Sequence, residues 1–96
     1  MKENLITLEG TLTKDPHFLF LRNGRQGVGF TLQLENRKKS FIDVEINGNL
    51  LHRQKKNLLK NSQVFLMGNM LQKSWIDDKG FFNSKYIVSC NHLKIK

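Results

Sequence analysis

The sequence predicts an all-β fold, a small five-stranded barrel with one short helix between its third and fourth strands. Three observations point there. Short runs that alternate apolar and polar residues recur along the chain, separated by Gly, Asn and Asp turn signals. One segment departs from that alternation: Leu50, Leu51, Leu58 and Leu59 flank a polar middle and fit one face of a short helix. Pro16 and Gly68 fall inside strand-like runs, where each would bend the chain and favour closure of the sheet.

The first strand is predicted from about Asn4 to Lys14, with Leu5, Ile6, Leu8 and Leu12 as its apolar members. Asp15-Pro16 interrupts it, because proline lacks the ladder donor. The chain resumes as His17-Phe18-Leu19-Phe20-Leu21 and turns at Asn23-Gly24, a strong hairpin signal. In the second strand Val28, Phe30, Leu32 and Leu34 alternate with smaller or polar residues. Arg37-Lys38-Lys39 leads to a third strand over Phe41 to Asn47, with Ile42, Val44 and Ile46 on one face and Phe41, Asp43 and Glu45 on the other. The helix follows, its polar side carrying His52, Arg53, Lys55 and Lys56, and Asn61-Ser62 closes it. A fourth strand is predicted from about Gln63 to Trp75 and a fifth from about Phe82 or Asn83 to Ile95, joined by the turn Asp77-Asp78-Lys79-Gly80. Five strands with a helix between the third and fourth match the OB-fold barrel.

At 96 residues the chain is one domain, 1–96. A domain of this size buries a modest share of its surface, so association with another subunit is expected. Lys and Arg number 16 against 8 Asp and Glu, a net charge of +8. A field of this sign attracts polyanions, either nucleic acid or an anionic membrane. No apolar run approaches spanning length and the opening residues show no signal pattern, which reads as a cytoplasmic, nucleoid-associated protein without a membrane partner. Cys90, the single cysteine, sits in an apolar alternation and reads as a core thiol.

Several short motifs stand in order along the chain: Leu8-Glu9-Gly10-Thr11-Leu12, Lys14-Asp15-Pro16, Asn23-Gly24 and Phe30-Thr31-Leu32. They continue with Phe41-Ile42-Asp43-Val44, Lys60-Asn61-Ser62-Gln63-Val64, Gly68 and Ser74-Trp75-Ile76-Asp77. In that order and spacing the chain resembles the bacterial single-stranded DNA-binding protein family from Asn4 to about Ile95. The resemblance implies base-stacking aromatics at Phe41 and Trp75, a backbone-contacting cation at Lys60, a further basic residue at Lys73, and homo-oligomers, tetramer or dimer. It also marks departures. Asn47 stands where the family carries another aromatic, Lys38 stands near a common tryptophan position, and the chain stops at Lys96 without the family's acidic tail. Fewer stacking platforms and more reliance on charge are the expectation.

Independently of the resemblance, aromatic and basic residues interleave as single-strand binding requires, since bases stack on aromatic faces while cations follow the phosphates. Trp75 lies between Lys73 and Lys79, and Phe41 follows Arg37, Lys38 and Lys39. Phe18 and Phe20 precede Arg22 and Arg25, and Phe81 and Phe82 lie between Lys79 and Lys85. Phe30 is expected in the core, together with one of Phe18 and Phe20. Trp75 sits beside a charged turn and Phe41 shares a face with two acids, so both are expected outside it. Arg53, Lys55 and Lys56 read as a solvated helix face. Met67 and Leu71, out of phase with Val64, Leu66 and Met70, read as a subunit interface.

Chemistry is not expected. His17, His52 and His92 are scattered, Asp77-Asp78 reads as a hairpin tip, and Asp43 and Glu45 lack a third acid or histidine for nuclease work. No metal or cofactor is implied. Two alternatives share the fold: a primosomal replication-restart accessory protein that bridges replication proteins, and an RNA-binding OB domain. Charge and stacking do not separate RNA from DNA, because that choice rests on the 2′-hydroxyl.

Overall fold

In a computed structural model, which describes residues 4–21, 23–35, 40–54 and 57–96, six strands and one helix are present. They are β1 (Leu5–Leu12), β2 (His17–Phe20), β3 (Gln26–Leu34), β4 (Phe41–Asn47), α1 (Gly48–His52), β5 (Gln63–Ile76) and β6 (Phe82–Ile95). The strands run in the order β1-β5-β6-β4-β3-β2, and β1 also pairs with β3, which closes the barrel. β1 and β2 lie against successive parts of β3: Gly10 to Leu12 face Leu34 to Leu32, and His17 to Phe20 face Gly29 to Gln26. They are one barrel strand broken at Asp15-Pro16, so the count of five holds.

The alternation delivers one side chain in two to the interior. Leu12, Phe30, Leu32, Val44, Ile46, Val64, Leu66, Val88 and Cys90 form the core, and Leu58 and Ile95 complete it. Each fully buried aliphatic side chain there contributes about 1.5–3 kcal/mol. Cys90 is a core thiol. It donates to the His92 carbonyl at 3.1 Å, and burial pushes its pKa up to about 11, which removes thiolate reactivity.

Gly68 does mark a bulge. Met67 faces His92 while Gly68 faces Cys90, so Asn91 on β6 has no opposite number. The strands approach so closely here that a Cβ on residue 68 would sit 2.2 Å from the Ser89 carbonyl oxygen. Only glycine fits that approach.

The helix is shorter than the leucine spacing predicts. It ends at His52, and Leu58 enters the core from irregular chain. Tertiary anchors outweigh the helical pattern, since a short helix has little cooperative stability of its own. The Gln54 side chain donates to the Leu93 carbonyl at 2.8 Å. The Lys60 amide donates to Asp15 Oδ1 at 2.7 Å, and the Asn61 amide donates to the Leu12 carbonyl at 2.9 Å. These bonds hold the segment along the barrel end. Leu59 is accordingly exposed, and Asn61 takes a positive φ of 72° at the entry to β5. Lys55 and Lys56 lie outside the described residues.

β5 and β6 continue as a hairpin past the barrel. β1 leaves β5 at Asn69, and β4 pairs with β6 only from Ile87 to Cys90. Gln72 to Ile76 and Phe82 to Tyr86 therefore form a two-stranded arm.

Candidate nucleic-acid interface

The outer face of β4 presents Phe41, Asp43, Glu45 and Asn47 in alternation. Opposite them on β3 stand Gln33, Thr31, Gly29 and Gly27. The two glycines leave room for β2 side chains to lie flat across β3: a Cβ at Gly29 would meet Leu19 at 2.6 Å, and one at Gly27 would meet Leu21 at 2.7 Å. On the other side of β4, Asp43 is paired with Ile87 and Glu45 with Ser89. The arm continues this same face outward through Lys73 with Lys85, and then Trp75 with Asn83.

Charge pairs join arm to barrel. Lys85 Nζ donates to Asp43 Oδ2 at 2.8 Å, and Thr31 Oγ1 donates to Asp43 Oδ1 at 2.8 Å. The Lys85 bond, assisted by Thr31, holds the Asp43 carboxyl below the usual carboxylate range, against the opposing effect of partial burial. Lys73 forms an ion pair with Glu45. Both lysines were expected on phosphates from sequence, and both have a carboxylate partner within the chain. Glu45 and Asp43 thus position the arm and also offset two of its charges.

Aromatic exposure is the strongest feature of the surface. Of nine aromatic residues, Phe18, Phe20, Phe41, Trp75, Phe81, Phe82 and Tyr86 are exposed, Phe65 is half-buried and Phe30 lies in the core. That is far more exposed ring area than folding explains. The expectation that one of Phe18 and Phe20 is core is corrected. Phe18 is 59% exposed and Phe20 67%. β2 pairs with β3 alone, at the end of the strand order, so its inward-phase residues overhang the barrel rather than enter it. Their rings pack edge to face, 5.5 Å apart.

The structure brings Phe20 and Trp75 together, residues 55 positions apart in sequence. With Leu21, Lys73 and Ser74 they line a groove of about 290 Å³ between β2 and the arm. Phe41 stands at the start of the β4 row. Lys79, Phe81 and Phe82 sit at the arm's tip. Asp77 organises that tip by accepting from the Lys79 and Phe81 amides at 2.9 Å and from Asn83 Nδ2 at 3.0 Å. The Phe81 amide, then Asn83, holds its carboxyl below the usual range. Phe82 points to the other face of the arm, paired with Ile76, so it does not share a platform with Trp75. Lys60 lies at the barrel end by Asp15, away from the Phe20–Trp75 groove. Arg25 is exposed and lines a second, larger groove beside α1. Arg22, Arg37, Lys38 and Lys39 fall outside the described residues.

Sequence reasoning missed Tyr86, which is 62% exposed. It shares phase with core Val88, and the signal that removes it from the core is the length of β6 beyond its pairing with β4. Among the described residues no three His, Cys, Asp or Glu side chains form a group able to hold a metal ion.

Comparison with known proteins fits this geometry. The model of the single-strand binding protein family matches residues 3–95. The chain belongs to that family. Among curated relatives, the single-stranded DNA-binding protein of Wolinella succinogenes is 26% identical over 102 residues, covering 96% of this chain and 63% of the relative. That of Helicobacter pylori is 25% identical over 101 residues, covering 95% of this chain and 56% of the relative. The chain thus spans about three-fifths of the length of these relatives. In fold it is similar to a Plasmodium falciparum SSB solved in complex with ssDNA, at a TM-score of 0.80, with 17% identity and coverage of 100% and 97% of the two chains. That likeness secures the OB-fold architecture of this family member. Among the described residues no helix is long and apolar enough to cross a membrane.

Proposed function

We propose that this chain binds and protects single-stranded DNA without reading its sequence, in replication, recombination or repair, and performs no chemistry on it. The observation that carries the reading is the groove in which Trp75 and Phe20 stand exposed beside Lys73. Bases stack on the rings of Trp75, Phe20 and Phe41, and the excess of Lys and Arg follows the phosphates. A duplex hides its base faces, so stacking selects single strands. Membership of the single-strand binding family and the names of the relatives support the same reading. The setting is the cytoplasm.

Self-association belongs to the proposal. Among the described residues β1 pairs with β3 from Gly10 onward, so Leu5 to Leu8 pair there on one side alone, and Leu5, Met67 and Leu71 share the outer face. An open strand edge beside apolar residues suits a second copy of the chain, and sedimentation reads the resulting mass.

Oligo(dT) should quench the fluorescence of Trp75, the sole tryptophan. Trp75→Ala should weaken binding by roughly 1–3 kcal/mol, with the circular dichroism unchanged. Unchanged fluorescence at saturation, or equal affinity for a matched duplex, would remove the stacking reading.

A further inference from the structure

Beside the Phe20–Trp75 groove lies a larger one. Phe20 lines the first, Phe18 lines the second, and the two rings touch. The second groove, of about 880 Å³, runs between the β2–β3 hairpin and α1. Its volume is within the range of about 300–1,000 Å³ typical of ligand clefts. Val28 and Leu58 give it an apolar floor, with Phe18 as an exposed wall. Its polar lining includes Arg25, Asn49, His52 and Asn57, and no carboxylate is among the described lining residues. The outer face of β4 is different, since there Asp43 and Glu45 pair with lysines.

We infer that this groove takes a further stretch of the same single strand that stacks on Trp75, with the Phe20–Phe18 pair as the bridge between the two grooves. The inference rests on the proposed single-strand binding. The lining chemistry selects this occupant. A cation without carboxylates nearby suits phosphate, side-chain amides suit exposed base edges, and an exposed ring suits a base face. An acidic peptide would meet the same cation, but it would have no use for a ring placed next to another stacking ring. The ring geometry also sets the path. The planes of Phe18 and Phe20 are 88° apart, so bases stacked on the two rings stand at a right angle. The strand therefore turns at this pair, leaving the arm and running toward α1.

The test is length dependence. Wild type and Phe18→Ala are titrated with oligo(dT) of about 5 and about 15 nucleotides, near the ends of the range of roughly 4–16 that an OB fold covers. Trp75 quenching and the anisotropy of a labelled oligomer are read together. Phe18→Ala should lower affinity for the longer oligomer about fivefold or more and leave the shorter one unchanged, and Phe18→Tyr should retain wild-type values. Arg25→Gln, at an exposed position, should show the same length selectivity. Equal loss at both lengths, or no loss at the longer one, overturns the inference while quenching persists. Absence of quenching in wild type at both lengths overturns single-strand binding itself, and the extension with it.

Discussion

At the scale of single residues, the site is governed by which lysines are engaged. Lys73 and Lys85 lie side by side on the barrel side of Trp75, on the same face of the arm, yet Glu45 and Asp43 hold them. Glu45→Gln should free Lys73 for phosphate. Affinity at low salt should rise, and the log–log salt slope should steepen by about 0.7, one more phosphate neutralised. Weaker binding in that variant would show that Glu45 serves mainly to aim the arm. Asp43 makes a pH prediction. Its folded-state pKa lies below its ordinary value, chiefly through Lys85, so it binds protons less readily folded than unfolded. Its contribution is present above about pH 4 and is lost as the pH falls through the folded value. Urea unfolding between neutral pH and pH 3 should show a steeper loss of stability in wild type than in Asp43→Asn. The effect is modest, because both partners are near half exposed and solvent screens them.

At the scale of elements, the bulge at Gly68 falls just before β1 leaves β5 at Asn69. Gly68→Ala places a methyl group against the Ser89 backbone, which cannot swing aside as a side chain could. Thermal or denaturant unfolding should report a loss of about 1–3 kcal/mol, the usual cost of overpacking. Gly68 was legible in sequence because glycine within an alternating strand has few other reasons to be there. β3 and β4 were legible for the same local reason, an unbroken period of two. The length of α1 was not. Leu50, Leu51, Leu58 and Leu59 fit a helix well, and it is distant partners, Leu93, Asp15 and Leu12, that hold Gln54, Lys60 and Asn61 outside one. Phe18 and Phe20 failed similarly. Their alternation is that of a half-buried strand, and only the strand order shows that β2 has no barrel wall to face.

At the scale of the whole molecule, a net charge of +8 makes the proposed strand capture depend on salt. The affinity for oligo(dT) should fall linearly in log–log form, with a slope of about −0.7 for each phosphate neutralised. A flat dependence would leave stacking alone to account for binding. The barrel itself could be read from the order of its elements, because strand patterning is local and the OB order is distinctive. The exposure of individual rings could be read too, that of Trp75 from its charged neighbours and that of Phe41 from the acids that share its face. Their assembly could not. Phe20 meets Trp75 only because β2 hangs off β3 while β5 outruns the barrel, and both facts come from closure.

The arm that carries Trp75 behaves as a cantilever. Its root is clamped by β4 and by the two lysine–carboxylate pairs, and among the described residues its outer part has no third strand to stiffen it. A force at a free end deflects it more than its root, so the arm is built to let Trp75 yield further than Lys73 or Lys85, while Phe41 is part of the barrel wall. On the proposed reading, a ring on a two-stranded arm set against one on the barrel wall suits purines and pyrimidines alike, because the spacing between the two contacts is not tuned to one base.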